Sequence, residues 1–341
     1  MREGPYLSFV VAARNDNYGG DFKHRMQVFV NVLAGWALRH ELNAELIIVE
    51  WNPPSDRLSL KEQIEWPANL GPLRVRLVEV PHAVHARLPN SGRLPLFEYI
   101  AKNVGIRRAQ GSYILATNPD LVYSGELVGW LAARRLSPGK YYRIDRYDFT
   151  GPAPLSLDPE EVVRFAKRHV FVAHFRSAPP RGNSQVVGGL RRRLGVHAGL
   201  WPSSCRYYLR AGPGQCVRTL DDDTGLDGGI HTNAAGDFIL AHRDHWHAIK
   251  GFPEFTDTFT HLDSYACHQL KAVGLSQTVF IPPAMILHAD HSRVEQKGRP
   301  QSPNEKVDED LRKIRSGQLG AALNGEGWGL RDDALVEIAI Q

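Results

Sequence analysis

The stretch Gly111-Ser112-Tyr113-Ile114-Leu115-Ala116-Thr117-Asn118-Pro119-Asp120 holds the clearest candidate for chemistry in the chain. Tyr113, Ile114 and Leu115 favour a short buried strand, and Asn118-Pro119 ends its pairing because proline has no N–H to give. A carboxylate just past the C-terminal end of such a strand stands where open α/β sheets bind ligands. It can hold a hard divalent cation, and the cation can hold a diphosphate. A simple acidic turn residue after Asn-Pro is the plainer alternative. A second candidate is Asp263 in His261-Leu262-Asp263, at the start of a predicted helix. The helix dipole keeps a carboxylate ionised there, although aspartate is also a common N-cap. Histidines cluster at His242, His245 and His247, and again in His288-Ala289-Asp290-His291. Neither group has the HExxH or Cys/His spacing of a dedicated zinc hydrolase.

Other residue groups suit phosphate or nucleotide binding. Ala12-Ala13-Arg14-Asn15 follows an apolar run; small residues let a ligand approach the backbone, and Arg14 can reach a phosphate. Glu50-Trp51-Asn52 closes a second run, where an acid accepts bonds from a ribose or base, or is a surface glutamate. Lys102 and Asn103 fall mid-helix, where asparagine is a poor helix former, so Asn103 is expected to make a specific hydrogen bond, structural or to a ligand.

The elements that must position these residues alternate along the chain. Strands are expected at Leu7 to Ala13, Glu45 to Trp51, Leu73 to Val80, Ser112 to Thr117 and Tyr141 to Tyr147. Helices are expected at Phe22 to Leu42, residues 95 to 109 and Gly125 to Arg135. Residues 150 to 230 are rich in Gly, Pro and Arg with little periodicity, as functional or mobile loops are. Order resumes with a strand at Phe238 to Ala241, a helix at Arg243 to Ile249, a turn at Gly251-Phe252-Pro253-Glu254 and a helix at Leu262 to Val273. Short strands follow at Gln277 to Ile281 and Ala284 to His288, then a charged, partly disordered tail with a helix at Asp308 to Arg315. The alternation argues for an α/β fold with a mostly parallel twisted sheet flanked by helices and interrupted by a long irregular insertion. The expected division is 1–150, an insertion or acceptor-side loop at 151–230, 231–292, and a tail at 293–341.

The bulk numbers fit one large domain or two ordinary ones. The 341 residues are 43% hydrophobic and 23% charged with a net charge of +4, the values of a soluble globular protein. Arg191-Arg192-Arg193 is read as a solvated loop, and no nucleic-acid motif is present. Cys205, Cys216 and Cys267 are too few for a disulfide framework; a Cys205–Cys216 bridge is open, reduced thiols are simpler. Met1-Arg2-Glu3-Gly4-Pro5 leads straight into a strand without a signal peptide, and no apolar run approaches the roughly 20 residues of a membrane span. A cytoplasmic protein, at most peripheral to a membrane, is expected.

The order of these segments resembles the GT-A glycosyltransferases of the family-2-like type. Asn103-Val104-Gly105, Ala109-Gln110-Gly111 and Tyr113-Ile114-Leu115 match the family's helix and small-Gly-strand run, and Asn118-Pro119-Asp120 takes the place of its metal-binding Asp-x-Asp. Gly236, the strand from Phe238, Arg243 with Trp246, Gly251-Phe252-Pro253-Glu254 and Leu262-Asp263 match its later elements. Residues 150 to 230 match nothing. The resemblance implies transfer of a sugar, as in hexosyltransferases, from a nucleotide-diphosphate sugar to the hydroxyl of a glycan, lipid or small molecule, with inversion. It implies Mn²⁺ or Mg²⁺ on Asp120 and His288 as the metal ligands, and Asp263 as general base. It implies Ala13, Arg14, Asn15, Glu50, Asn52, Lys102, Asn103, Asn118 and Asp237 around the nucleotide sugar. In the unmatched region, Trp201, Tyr207 and Tyr208 are aromatic residues suited equally to stacking on a sugar ring and to packing in the core. The chain departs from the family where Asn118 replaces the first aspartate and Leu262 the glutamate before the base. Those departures are the support for a non-catalytic binding module. A nucleotidyltransferase would need a glycine-rich loop after the first strand, which Ala12-Ala13-Arg14-Asn15 is not.

Overall fold

A computed structural model describes residues 4–174, 184–186, 216–220, 230–258, 261–292 and 303–340. Its centre is a parallel block in the order β4-β1-β2-β3, formed by β1 (Leu7–Ala13), β2 (Ala44–Trp51), β3 (Arg74–Val80) and β4 (Tyr113–Thr117). β1 is apolar throughout because it is buried on both faces. Leu7, Phe9, Val11 and Ala13 enter one core cluster and Val10 and Ala12 the other. Helix α1 (Phe22–Arg39) packs on the first face. The short helices α2 (Leu60–Gln63) and α3 (His82–Ala86) lie in the connections, and α4 (Glu98–Arg108) covers the second face. Gly105 makes that packing possible, since a Cβ there would stand 2.5 Å from Val10 Cγ1.

After β5 (Leu121–Tyr123) and α5 (Gly125–Ala132), the expected strand Tyr141 to Tyr147 is two strands in two sheets: β6 (Lys140–Ile144) and β7 (Arg146–Phe149). The chain changes sheet at Asp145, whose Oδ1 bonds His231 Nε2 at 2.9 Å. Residues 151–230 open with regular structure rather than an irregular loop: α6 (Pro159–Arg168) and β8 (Val170–His174), followed by the short β9 (Ser184–Val186) and β10 (Val217–Leu220). The signals for α6 are in the sequence. Asp158 accepts from Glu160 N as N-cap, proline starts the helix, and Val162, Val163 and Ala166 are buried. Trp201, Tyr207, Tyr208, Cys205 and Arg191-Arg192-Arg193 lie outside the described residues.

β11 (Phe238–His242) enters the main sheet antiparallel between β4 and β6. After α7 (Arg243–Ala248) and α8 (Leu262–Ala272), β12 (Ser276–Phe280) runs parallel to β6, and β10 pairs antiparallel with it at the edge. The main sheet is therefore a parallel block with mixed flanks. β13 (Ile286–Ala289) joins the second sheet, ordered β5-β13-β7-β8-β9. The tail is folded onto the domain through α9 (Asn304–Arg315) and β14 (Val336–Ile340), which pairs antiparallel with β3. Trp328 is buried, and Arg107 and Arg108 donate to the carbonyls of Trp328, Gly329 and Leu330. Among the described residues no helix is long and apolar enough to cross a membrane.

Candidate functional site

Strand register gathers the acidic and histidine candidates at one end of the sheets. Asp120 sits in the turn between β4 and β5. β13 lies between β5 and β7, with His288 opposite Leu121 on one side and opposite Asp148 on the other. The Ala289 amide donates to the Asp120 carbonyl at 3.0 Å and pins the turn to the strand. His291 comes two residues beyond β13, with its ring edge-on to Tyr18 at 5.2 Å between centroids. Gly19, at φ +71°, leaves room for that ring, because a Cβ there would run into His291 Nδ1.

These residues converge. Asp120 Oδ2 is 3.6 Å from His288 Nε2 and 3.5 Å from His291 Nε2, and one ligand atom of each residue lies within 4.8 Å of the others. Asp120 Oδ1 is buried with no hydrogen-bond partner. A buried carboxylate oxygen without a donor, beside two imidazole nitrogens, fits a divalent cation. Burial opposes the charge on Asp120, but His288 and His291 outweigh it and hold the carboxyl well below the usual range. Burial likewise opposes the charge on His288, and Asp120 and Asp148 outweigh it and raise the imidazole to about 9.

A polar chain continues from this point. His288 Nδ1 is 3.2 Å from Asp148 Oδ1, and Asp148 also pairs with Arg146 Nε at 2.8 Å and His174 Nε2 at 2.9 Å. Arg146 reaches on to Asp237 Oδ2 at 2.8 Å, and Asn118 donates to Asp237 Oδ1 at 2.7 Å. Burial opposes the charge on Asp237, but Arg146 and His288 outweigh it and hold its carboxyl below the usual range. The other face of Asn118 accepts from Lys102 Nζ at 2.7 Å. Lys102 is fully buried, and its ammonium also donates to Glu98 Oε1 at 2.7 Å and Gly236 O at 2.8 Å. All three Lys102 donors are thus spent on joining α4, the end of β4 and the Gly236 turn.

A cleft of about 300 Å³ opens above this floor. It runs from Ala13 and Arg14 at the end of β1, past residues 94–100, to Asp120, Arg146, His288 and His291. Of the residues expected around a nucleotide sugar, Ala13, Arg14, Asn118 and Asp237 line it. Arg14 is held by Asn52 O at 2.8 Å and Asp16 Oδ2 at 2.6 Å.

The remaining expected residues stand behind the wall. Asn15 donates to Leu58 O at 2.8 Å. Glu50 takes the Leu60 amide on both oxygens, at 2.9 and 3.0 Å, because that amide opens α2 and lacks a helical partner. Asn52 donates to Pro95 O and contacts His82 Nδ1, each at 3.0 Å, bracing the segment that forms one wall. Lys102 positions Asn118 rather than facing a ligand. Asn103 is fully engaged in structure: it accepts from Phe252 N at 2.8 Å and donates to Phe252 O at 2.8 Å and Glu254 Oε1 at 2.9 Å. It clamps the turn whose Gly251, at φ +72°, leaves no space for a Cβ beside the Asn103 amide.

Asp263 opens α8 as expected. Its Oδ2 accepts from Gly236 N at 2.7 Å and its Oδ1 from Ser264 N at 2.8 Å. Burial pushes its carboxyl up, and those two amides bring it only part of the way back. Its neighbours Leu262 and Tyr99 line the cleft, and Asp263 does not.

Three residues of the site carry no role in the sequence reading. His291 is noted there only as part of a histidine tract, two residues past the end of β13. Arg146 and Asp148 alternate with Tyr147 and Phe149, a period-2 pattern that puts both on one face of a half-buried strand. Ending that strand at Tyr147 concealed it.

No protein-family model matches the sequence, and no curated protein matches it. Solved structures do resemble the fold. The catalytic domain of Drosophila β1,4-galactosyltransferase 7, in complex with xylobiose, aligns over 92% of this chain and 82% of its own at 13% identity, with a TM-score of 0.40. Staphylococcus aureus TarS, residues 1–349, aligns over 83% of this chain and 60% of its own at 13% identity, with a TM-score of 0.46. Likeness at this level assigns no chemistry, which rests on the Asp120–His288–His291 floor and the cleft above it.

Proposed function

We propose that this chain is a glycosyltransferase that moves a sugar from a nucleotide-diphosphate sugar to an acceptor hydroxyl. The observation that carries the reading is the convergence of Asp120, His288 and His291 at the floor of a cleft that begins at Arg14. One carboxylate oxygen with two imidazoles suits Mn²⁺ better than Mg²⁺, which prefers an all-oxygen shell. A divalent cation bound there would neutralise the charge developing on the leaving diphosphate. The chain's own residues do the rest. Arg14 faces the nucleotide side, held by Asn52 O and Asp16. Asp237 and Asn118, fixed by Arg146 and Lys102, face the sugar. Asp263 accepts the acceptor's hydroxyl proton as that oxygen attacks the anomeric carbon and the bond to the diphosphate breaks, which inverts the centre. Its raised carboxyl favours that task.

One observation favours a second reading, a non-catalytic module that binds a nucleotide or sugar. Both Asp263 oxygens are bonded to backbone amides, and Asp263 lies off the cleft wall. Calorimetry with a panel of nucleotide-diphosphate sugars, with and without Mn²⁺, followed by an assay for diphosphate release, separates the two. Mn²⁺-dependent binding with release of nucleoside diphosphate supports the transferase. Binding without transfer or hydrolysis, for every donor and acceptor offered, supports the module.

A further inference from the structure

We infer that Asp148 is a positioning residue that orients His288 as a cation ligand by taking the proton-bearing Nδ1 of its ring. The inference rests on the metal reading of Asp120, His288 and His291 and concerns how that site is held.

An imidazole that ligates through Nε2 carries its proton on Nδ1 and needs an acceptor there to fix ring orientation and tautomer. His288 turns Nε2 towards Asp120 Oδ2 at 3.6 Å and towards the side on which His291 stands, and turns Nδ1 towards Asp148 Oδ1 at 3.2 Å. The His288 and His291 rings are 5.4 Å apart between centroids. His288 Nδ1 is buried with no aligned hydrogen bond, and Asp148 Oδ1 is buried with none either. A small rotation of the ring brings the two into line, beside the Arg146 Nε contact to the same oxygen.

The backbone makes the pairing unavoidable. β13 and β7 are parallel with His288 opposite Asp148, so the two side chains leave the same face of the sheet at the same level. Asp148 is itself held. Its Oδ2 contacts His174 Nε2 at 2.9 Å and its Oδ1 contacts Arg146 Nε at 2.8 Å, and Arg146 is anchored by Asp237 at 2.8 Å. Asp148 is 4% exposed and outside the cleft wall, so it supports a ligand without touching one. Among the described residues, the charged and titratable groups around it are His174 from β8, Arg146 from its own strand and His288 from β13.

The test titrates MnCl₂ into the full-length protein and reads free Mn²⁺ by electron paramagnetic resonance. Asp148→Asn should weaken Mn²⁺ about 10- to 100-fold, the usual effect of losing a carboxylate behind a ligating histidine. His174→Gln, which removes the partner of the other Asp148 oxygen, should weaken Mn²⁺ several-fold less than Asp148→Asn, and a general loosening of the second sheet would weaken both variants alike. Melting of both variants without added metal checks folding. If Asp148→Asn does not fold, the wild type loaded with diamagnetic Zn²⁺ still decides the point by ¹⁵N NMR of the histidine rings. His288 should carry its proton on Nδ1, and metal on Nδ1 would overturn the inference. Wild-type binding of Mn²⁺ with equal binding by Asp148→Asn removes this inference alone. No Mn²⁺ binding by the wild type removes the metal reading beneath it.

Discussion

Glu50→Gln should stabilise the protein, and increasingly so as pH rises. Glu50 is 2% exposed at the end of β2, and both of its oxygens face the single Leu60 amide. Burial raises its carboxyl from 4.5 to about 7, with Glu79 and Glu62 adding to the rise and the Leu60 amide opposing it. At pH 4 the side chain is protonated both folded and unfolded, and it contributes no pH dependence. Between about 4.5 and 7 the unfolded chain releases this proton while the folded chain keeps it, so unfolding becomes easier as pH rises. Above 7 the loss is complete, and the displacement corresponds to about 3 kcal/mol. Glutamine has the same shape, still accepts from Leu60 N and never ionises. Urea unfolding of both proteins from pH 4 to 8.5 should therefore show a stability difference that grows by about 3 kcal/mol in favour of the variant, most of it before pH 7. Donor affinity should be unchanged, because Glu50 does not line the cleft. A difference that stays flat across this range would refute the assignment of Glu50 to the fold, and so would a variant that loses nucleotide binding while keeping its stability.

Other perturbations separate scaffold from site in the same way. Asn103→Ala strands the Phe252 amide, leaves Glu254 with the Gly329 amide alone, and should cost about 2–4 kcal/mol in urea unfolding without altering intrinsic donor affinity. Lys102→Met leaves Glu98, Asn118 and the Gly236 carbonyl without their shared donor; it should destabilise by about 3–5 kcal/mol and weaken donor binding in calorimetry. Asp120→Ala should abolish saturable Mn²⁺ binding, read by paramagnetic resonance, and should lower the melting temperature, because His288 and His291 lose the carboxylate they face. Asp263→Asn should retain donor binding and lose turnover by at least about 100-fold, and near-normal turnover would remove it as the base.

The elements were legible where burial is two-sided or the period is long. β1 runs from Leu7 to Ala13 as its apolar run requires, and α1 begins at Phe22. What could not be read was partnership. The break at Asp145 depends on His231, which lies far away in the chain, so one predicted strand became two in different sheets. The folding back of β14 onto β3 likewise leaves no local mark beyond alternating Val336, Ile338 and Ile340. At the site, Asp120 and His288 were singled out from residue type and position, and the structure brings them together with His291. Asn103 and Glu50 illustrate the converse limit: a polar residue in an apolar setting signals a specific hydrogen bond, and only the fold decides whether its partner is a ligand or a backbone amide. Both proved to serve the backbone, and Asn15 and Asn52 do the same.

The most direct test of the central claim is a crystal structure of the wild-type protein grown with MnCl₂ and a nucleoside diphosphate, with anomalous data collected above the manganese edge. The account predicts one strong peak within ligand distance of Asp120, His288 Nε2 and His291 Nε2, bridged to the diphosphate, with the nucleoside extending towards Arg14. A diphosphate bound in the cleft with no peak at those three residues, or a peak held by other groups, would contradict it.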